Sequence, residues 1–193
     1  MGHIVIGKAA LFAALALFAF SSCAPREQLG ARYNLVARVI DGNSAIEIVG
    51  HTGTSADARI PSAIQNLPVT AIGDEAFAGG DWVVTDASRP YVSEFIVGHQ
   101  FASVAIPDSV THIGWRAFAV NTFASVVIPD SVAVIEHQAF WETPVTRITI
   151  GSDVALNGDG GFPFQFAQFY NAQGRRAGTY TYGNDGWSFE PRE

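Results

Sequence analysis

Three stretches of this chain align without a gap at a spacing of 22 residues: FASVAIPDSVTHIGWRAFAVNT (101–122), FASVVIPDSVAVIEHQAFWETP (123–144) and VTRITIGSDVALNGDGGFPFQF (145–166). The columns Ile106/Ile128/Ile150, Val104/Val126/Ile148, Val110/Val132/Val154, Phe101/Phe123/Val145 and Phe118/Phe140/Phe162 all hold in phase. An earlier copy, IPSAIQNLPVTAIGDEAF (60–77), carries five extra residues between its Ile-Pro and its Val-x-x-Ile. From Ile60 to Ile106 is 46 residues, about two periods, so 81–100 reads as a degenerate unit in preference to an insertion. A period this short constrains the fold severely. One unit cannot bury its own apolar face, so like units must stack and build a shared core.

Each unit opens with a short β-branched run (ASVVI, TRITI) that Pro or Gly then ends. Strand alternation sends Phe123, Val126 and Ile128 inward. Ser125 and Val127 face out, as do Ser103, Ala105, Arg147 and Thr149 in the neighbouring copies. These outward positions suit a broad protein surface or reflect drift. Val132 and Ile135 form a second apolar pair, and Ala139-Phe140 fills the far corner.

This pattern resembles the treponemal-type, or BspA-like, leucine-rich repeats, which read roughly apolar-x-x-Val-x-Ile-Pro-x-x-Val-x-x-Ile-Gly-x-x-Ala-Phe. Phe101–Phe118 matches at nearly every position, Ile113-Gly114 and Ala117-Phe118 included. The unit at 145–166 departs from it: Gly151 replaces the proline, and Asn157–Gly161 replaces Ile-Gly-x-x-Ala. The resemblance implies a mainly β fold, a leucine-rich-repeat solenoid of 22-residue coils with parallel strands, over residues 60–170. Strand-like runs around Asp41-Gly42-Asn43-Ser44 predict a hairpin cap within 33–59. The run Gly178–Glu190, broken at Asn184-Asp185-Gly186, predicts a second hairpin cap within 171–193. Caps cover the open ends that stacking leaves.

Ahead of the repeats, Ala9–Phe20 is twelve apolar residues after a single Lys8, too short to span a bilayer and suited to a signal peptide over 1–22. It closes on Phe20-Ser21-Ser22-Cys23, which resembles the lipobox of bacterial lipoproteins, with Phe20 where leucine is usual. That resemblance implies lipidation at Cys23, a tether over 23–32, and a place in the bacterial cell envelope, at the outer membrane or cell surface. Ordinary secretion, with an incidental Cys23, is the other reading.

Composition removes several function classes. After Lys8, ten arginines face 18 acidic residues, the wrong balance for neutralising nucleic-acid phosphates. A lone cysteine excludes a disulfide framework and a Cys-based zinc cluster. No hydrolase, metalloprotease, P-loop or dinucleotide fingerprint occurs, so neither a catalytic residue, nor a metal, nor a cofactor is expected. His51, His99, His112 and His137 form no pair at ligand spacing. Asp108 and Asp130 share a column, and each is expected to cap the turn after its own proline in preference to holding Ca²⁺. Asn157–Gly161 reads as a glycine turn.

Aromatic residues remain as the functional lead. Trp115, Trp141 and Trp82 fall at corners or loops, with Arg116 and His137 near them in the repeat frame. Trp with Arg and His is the composition of interaction hot spots, and it suits stacking on sugars. The plainer reading packs Trp115 on His137 of the next copy. The resemblance implies a lipid-anchored, adhesin-like module binding a protein or glycan, and not an enzyme. The alternative is a periplasm-facing structural lipoprotein that binds envelope components.

Overall fold

The computed structural model describes residues 34–84 and 93–192, with the backbone alone at 81–84 and 93–96. The Cys23 lipidation site, the signal and the tether lie outside the described residues.

The chain opens with a hairpin of β1 (Leu35–Ile40) and β2 (Ala45–His51), antiparallel and turning through Asp41–Asn43, where Gly42 takes a φ of 63°. Leu35, Ala37, Ile46 and Ile48 are its buried side. β2 lies parallel to β5 (Leu67–Ile72), and the ladder continues through β9 (His112–Ile113), β11 (Val134–Ile135) and β13 (Ala155–Leu156), all parallel. Before β5, β4 (Ala63–Ile64) folds back antiparallel on it and takes up the extra residues of that copy.

A second series runs alongside. β3 (Asp57–Arg59) pairs parallel with β8 (Ser103–Ala105), and β10 (Ser125–Val127) pairs parallel with β12 (Arg147–Ile150). In the latter pair Val126 sits opposite Ile148, so the same column faces itself across the ladder. The exposed–buried–exposed pattern of β10 has Val126 inside and Ser125 and Val127 outside. One continuous cluster of buried residues joins the two series, taking in Ile72, Ile113 and Ile135 from one and Val126, Ile148 and Ile150 from the other.

At the turns that join the series, aromatic rings stack in a row. Phe77, Phe118, Phe140 and Phe162 follow one another at centroid distances of 5.4, 5.4 and 4.4 Å, nearly coplanar. The backbone beneath them is tied in step: the N–H groups of Phe77, Phe118 and Phe140 donate to the carbonyls of Ala117, Ala139 and Gly160. The residue two before each phenylalanine is left-handed, Glu75, Arg116, Gln138 and Gly160 at φ of 53°, 50°, 58° and 63°. Only one of these four is glycine, so the others carry the Cβ clash of that conformation.

Three features differ from expectation. Residues 81–100 are not a degenerate unit: β6 (Gly80–Val84) and β7 (Ser93–Val97) form an antiparallel hairpin and a separate two-stranded sheet. The reason is visible in the register, because Asp57 of β3 faces Ser103 of β8 and Ile72 of β5 faces Ile113 of β9. The copy at 57–77 therefore stacks directly on 101–118 and leaves no room between them. The unit at 145–166 runs into α1 (Phe166–Ala172), which buries Phe166, Ala167 and Tyr170 against the end of the core. Nothing in the 22-residue pattern signals that helix. Finally, the turns after Pro107 and Pro129 are closed by the N–H groups of Val110 and Val132 donating to the proline carbonyls, while the Asp130 carboxylate pairs with Arg192. The expected aspartate caps are therefore absent among the described residues.

The C-terminal hairpin of β14 (Gly178–Gly183) and β15 (Gly186–Pro191) adds antiparallel to β12. Tyr180 from β14 is fully buried, edge-on to Phe166 at 5.4 Å and to Tyr170 at 5.6 Å. The Tyr170 hydroxyl donates to the Gly151 carbonyl at 2.7 Å and accepts from the Val154 N–H at 3.2 Å.

Candidate binding face

The turn row also collects the polar and aromatic residues that the sequence singled out. Trp115 enters the turn of one copy and Trp141 leaves the turn of the next. Between them, Arg116 is held with its guanidinium carbon 5.2 Å from the Trp115 ring centroid and 5.1 Å from that of Trp141. Arg116 is only 6% exposed, and its Nη1 meets the Glu75 carboxylate of the preceding copy at 3.3 Å. Arginine suits this position because a delocalised, weakly hydrated guanidinium stacks on indole faces at a lower desolvation cost than an ammonium. Its Nε and Nη2 have no hydrogen-bond partner among the described residues, so the site holds a charge that is stacked but incompletely bonded.

Trp115 stays 39% exposed, and its backbone N–H donates to the Asp74 carboxylate at 2.8 Å. Its ring lies against Arg116. No ring contact joins it to His137 among the described residues, so the packing on His137 weighed above is not what the fold selects. His137 is exposed, with Nδ1 4.0 Å from an Asp159 oxygen. Together with Trp141, Glu142 and Pro163 it lines an open groove of about 730 Å³. Glycines shape this groove: a Cβ on Gly161 would lie 2.6 Å from Gln138 backbone, and one on Gly158 would strike His137. The glycine turn read from Asn157–Gly161 is therefore a close backbone approach, with the Asp159 carboxylate accepting from the Gly161 N–H at 2.6 Å.

Behind the face sits a buried polar clamp that the sequence reading passed over. The Asn121 side-chain amide donates to the carbonyls of Phe77 and Phe118, and its oxygen accepts from the Phe101 N–H at 2.8 Å. Thr143, one copy on, accepts from the Asn121 N–H and donates to the Phe118 carbonyl. Asn121 and Thr143 are only 2% exposed each. Two polar residues in one column of otherwise apolar turns were the available signal.

Trp82 does not join Trp115 and Trp141 in the repeat turns: its backbone lies in the β6–β7 hairpin, opposite Phe95, and its side chain is outside the described residues. His51 and His99, dismissed as a pair on spacing, do come together, their rings 5.9 Å apart and each edge-on to Phe101. Burial first, and His99 next, hold the His51 imidazole below its ordinary 6.5. Among the described residues no three His, Cys, Asp or Glu side chains are grouped to hold a metal ion, and no helix is long and apolar enough to cross a membrane.

Parallel ladders of short strands, joined by turns that carry a phenylalanine row, define a mainly β repeat protein. Residues 92–167 match the family model of the BspA type leucine rich repeat region, in six copies. The chain therefore carries a BspA-type leucine-rich repeat region.

Among solved structures it is similar to a leucine rich repeat protein of T. pallidum, at 21% identity and a TM-score of 0.47, over 70% of this chain and 66% of that one. It is also similar to a leucine-rich repeat protein from Bacteroides ovatus, at 18% identity and a TM-score of 0.29, over 66% of this chain and 44% of that one. A third is a leucine rich cell surface protein from Faecalibacterium prausnitzii, at 16% identity and a TM-score of 0.26, over 81% of this chain and 59% of that one. The chain thus spans about two thirds or less of the length of each. No curated protein matches it.

Proposed function

We propose that this protein is a binding module, a solenoid of 22-residue coils held at the bacterial envelope by a lipid on Cys23, which presents its turn face to a protein or glycan. The repeat family supports the coarse part of this reading, since leucine-rich repeats suggest a protein-binding module. Stacked units offer an extended surface without a catalytic pocket. The observation that carries the choice of face is Arg116 between Trp115 and Trp141. A rigid pair of indoles fixed by a buried cation offers apolar area at little conformational cost, the property of hot spots. The apolar segment ending at Cys23 supports the anchor, and residues 1–22 and 23–32 serve as signal and tether in this reading.

Two measurements test it. Intact cells are treated with a broad protease, with lysed-cell and periplasmic controls, and the protein is followed by blotting. Loss from intact cells fits an outward, adhesin-like module. Protection until lysis refutes that and leaves the periplasm-facing alternative. In parallel, host matrix proteins and glycans are screened against the wild type, Trp115→Ala and Trp141→Ala. Any ligand bound equally well by all three removes the proposed face.

A further inference from the structure

We infer that the groove beside Trp141 takes a neutral hexose chain, a ligand class for one part of the face proposed above, on whose binding role this inference rests. The groove joins the half-buried indole of Trp141, the exposed carboxylates of Glu142 and Asp159, the exposed imidazole of His137 and the amide of Gln138. Indole and carboxylates together suit two ligands: a sugar, whose C–H face lies on the ring while its hydroxyls donate to the carboxylates, or a basic peptide side chain.

The stacked arginine decides between them. Trp141 already has the Arg116 guanidinium 5.1 Å from its ring centroid, so its π-cloud is spent on one cation. A ligand cation on the same indole would meet a buried positive charge a few ångströms away, in surroundings where charges are weakly screened. A neutral sugar face meets no such repulsion. Anionic sugars are excluded by the opposite sign, because Glu142 and Asp159 line the wall and the chain carries a formal net charge of −7.

Polar chemistry fits the same ligand. Carboxylates only accept, the Gln138 amide both donates and accepts, and a neutral imidazole offers one donor and one acceptor. Vicinal hydroxyls, which do both, can satisfy all of them at once. The wall opposite Trp141 is backbone in close approach, since Gly161 leaves no room for a Cβ against Gln138. The groove's width is therefore set by packed main chain and not by mobile side chains.

The test is titration calorimetry on the purified protein with neutral hexasaccharides of glucose, mannose and galactose, with hexagalacturonate, and with a tri-arginine peptide. Binding of at least one neutral hexasaccharide is expected, weakened about tenfold or more by Trp141→Ala, as removal of a stacking anchor would do. Because Trp141 also holds Arg116, the exposed Glu142→Gln and Asp159→Asn give a second reading without that structural role. Each should weaken the sugar severalfold and leave the melting temperature unchanged.

Binding of the arginine peptide in place of the sugars overturns the proposal, as does equal binding of hexagalacturonate. Failure of every sugar also overturns it, and so does sugar binding indifferent to all three variants. Should no sugar bind while a protein ligand from the surface screen is lost with Trp115→Ala, the binding-module reading stands and this one falls.

Discussion

The middle of the molecule and its ends are held by different kinds of packing. From Phe101 to Thr143 like lies on like: phenylalanine on phenylalanine, Val126 opposite Ile148, Asn121 bonded to the threonine of its own column. Beyond Gly151 the repetition stops, and unlike residues close the core. Helix α1 lays Phe166 and Tyr170 across it, and the hairpin adds Tyr180, with Phe189 packed 4.7 Å from that ring. At the other end the β1–β2 hairpin contributes aliphatic residues and His51, which rests against Phe101. Repetition solves the interior because every unit offers its neighbour the same face. An end has no such neighbour, so it needs residues of another shape to remove the same apolar area from water.

The largest effect that would sharpen this contrast is expected at Phe140, which has a parallel ring on each side. Phe140→Ala opens a cavity that neither neighbour can fill, at a cost of roughly 3–5 kcal/mol in chemical denaturation. A loss below about 1 kcal/mol would mean that the row relaxes, and that like-on-like stacking is not what holds the middle.

At the C-terminal end the comparable test is polar. Tyr170→Phe keeps the ring but strands the Gly151 carbonyl and the Val154 N–H, for about 1–3 kcal/mol. An unchanged midpoint would show that the end is closed by apolar packing alone.

The two ends should also answer pH in opposite directions. His51 is held below its ordinary 6.5, so below that value the unfolded chain binds more protons than the folded one. Its contribution is present at neutral pH and is lost as pH falls from about 6.5 toward the lowered folded value. Tyr180 is pushed up to about 12, by burial first and by Tyr170 next, with Arg176 pulling the other way. There the unfolded tyrosine ionises first, and stability is lost as pH rises from about 10 to about 12. Denaturation midpoints across the two ranges check both signs. His51→Gln should flatten only the acid limb and Tyr180→Phe only the alkaline one.

Smallest is the backbone effect at Gln138. Its left-handed φ of 58° is shared by Gly160 one copy on, so Gln138→Gly removes a Cβ clash while loosening the unfolded chain. A net gain of about 0.5 kcal/mol in the denaturation midpoint is expected. A loss would mean that the Gln138 side chain contributes more than its conformation costs.

Much of this architecture was legible before any coordinates. Val126 and Ile148 were placed in one inward column, and they face each other across β10 and β12. The turns at Asp41–Ser44 and Asn184–Gly186 were marked by the residues that such turns need. The candidate site was legible only in part. Trp115, Arg116 and Trp141 were picked out by residue type, and the structure does bring them together, with Trp82 placed elsewhere. Neither the order of the sandwich nor its anchor at Glu75 could be read.

What the sequence determined by itself is therefore what repeats. A column that must be apolar in every unit stays visible because the same burial is demanded of it each time. What only the tertiary structure decided is which copies are neighbours. Glu75 reaches Arg116 across 41 residues, because the hairpin between Gly80 and Val97 leaves the stack and lets the flanking copies meet. Spacing along a chain says how far apart two residues can be, but not what lies between them. The choice was made by burial: the copies at 57–77 and 101–118 cover each other's apolar faces, and the hairpin between them pairs its own backbone groups.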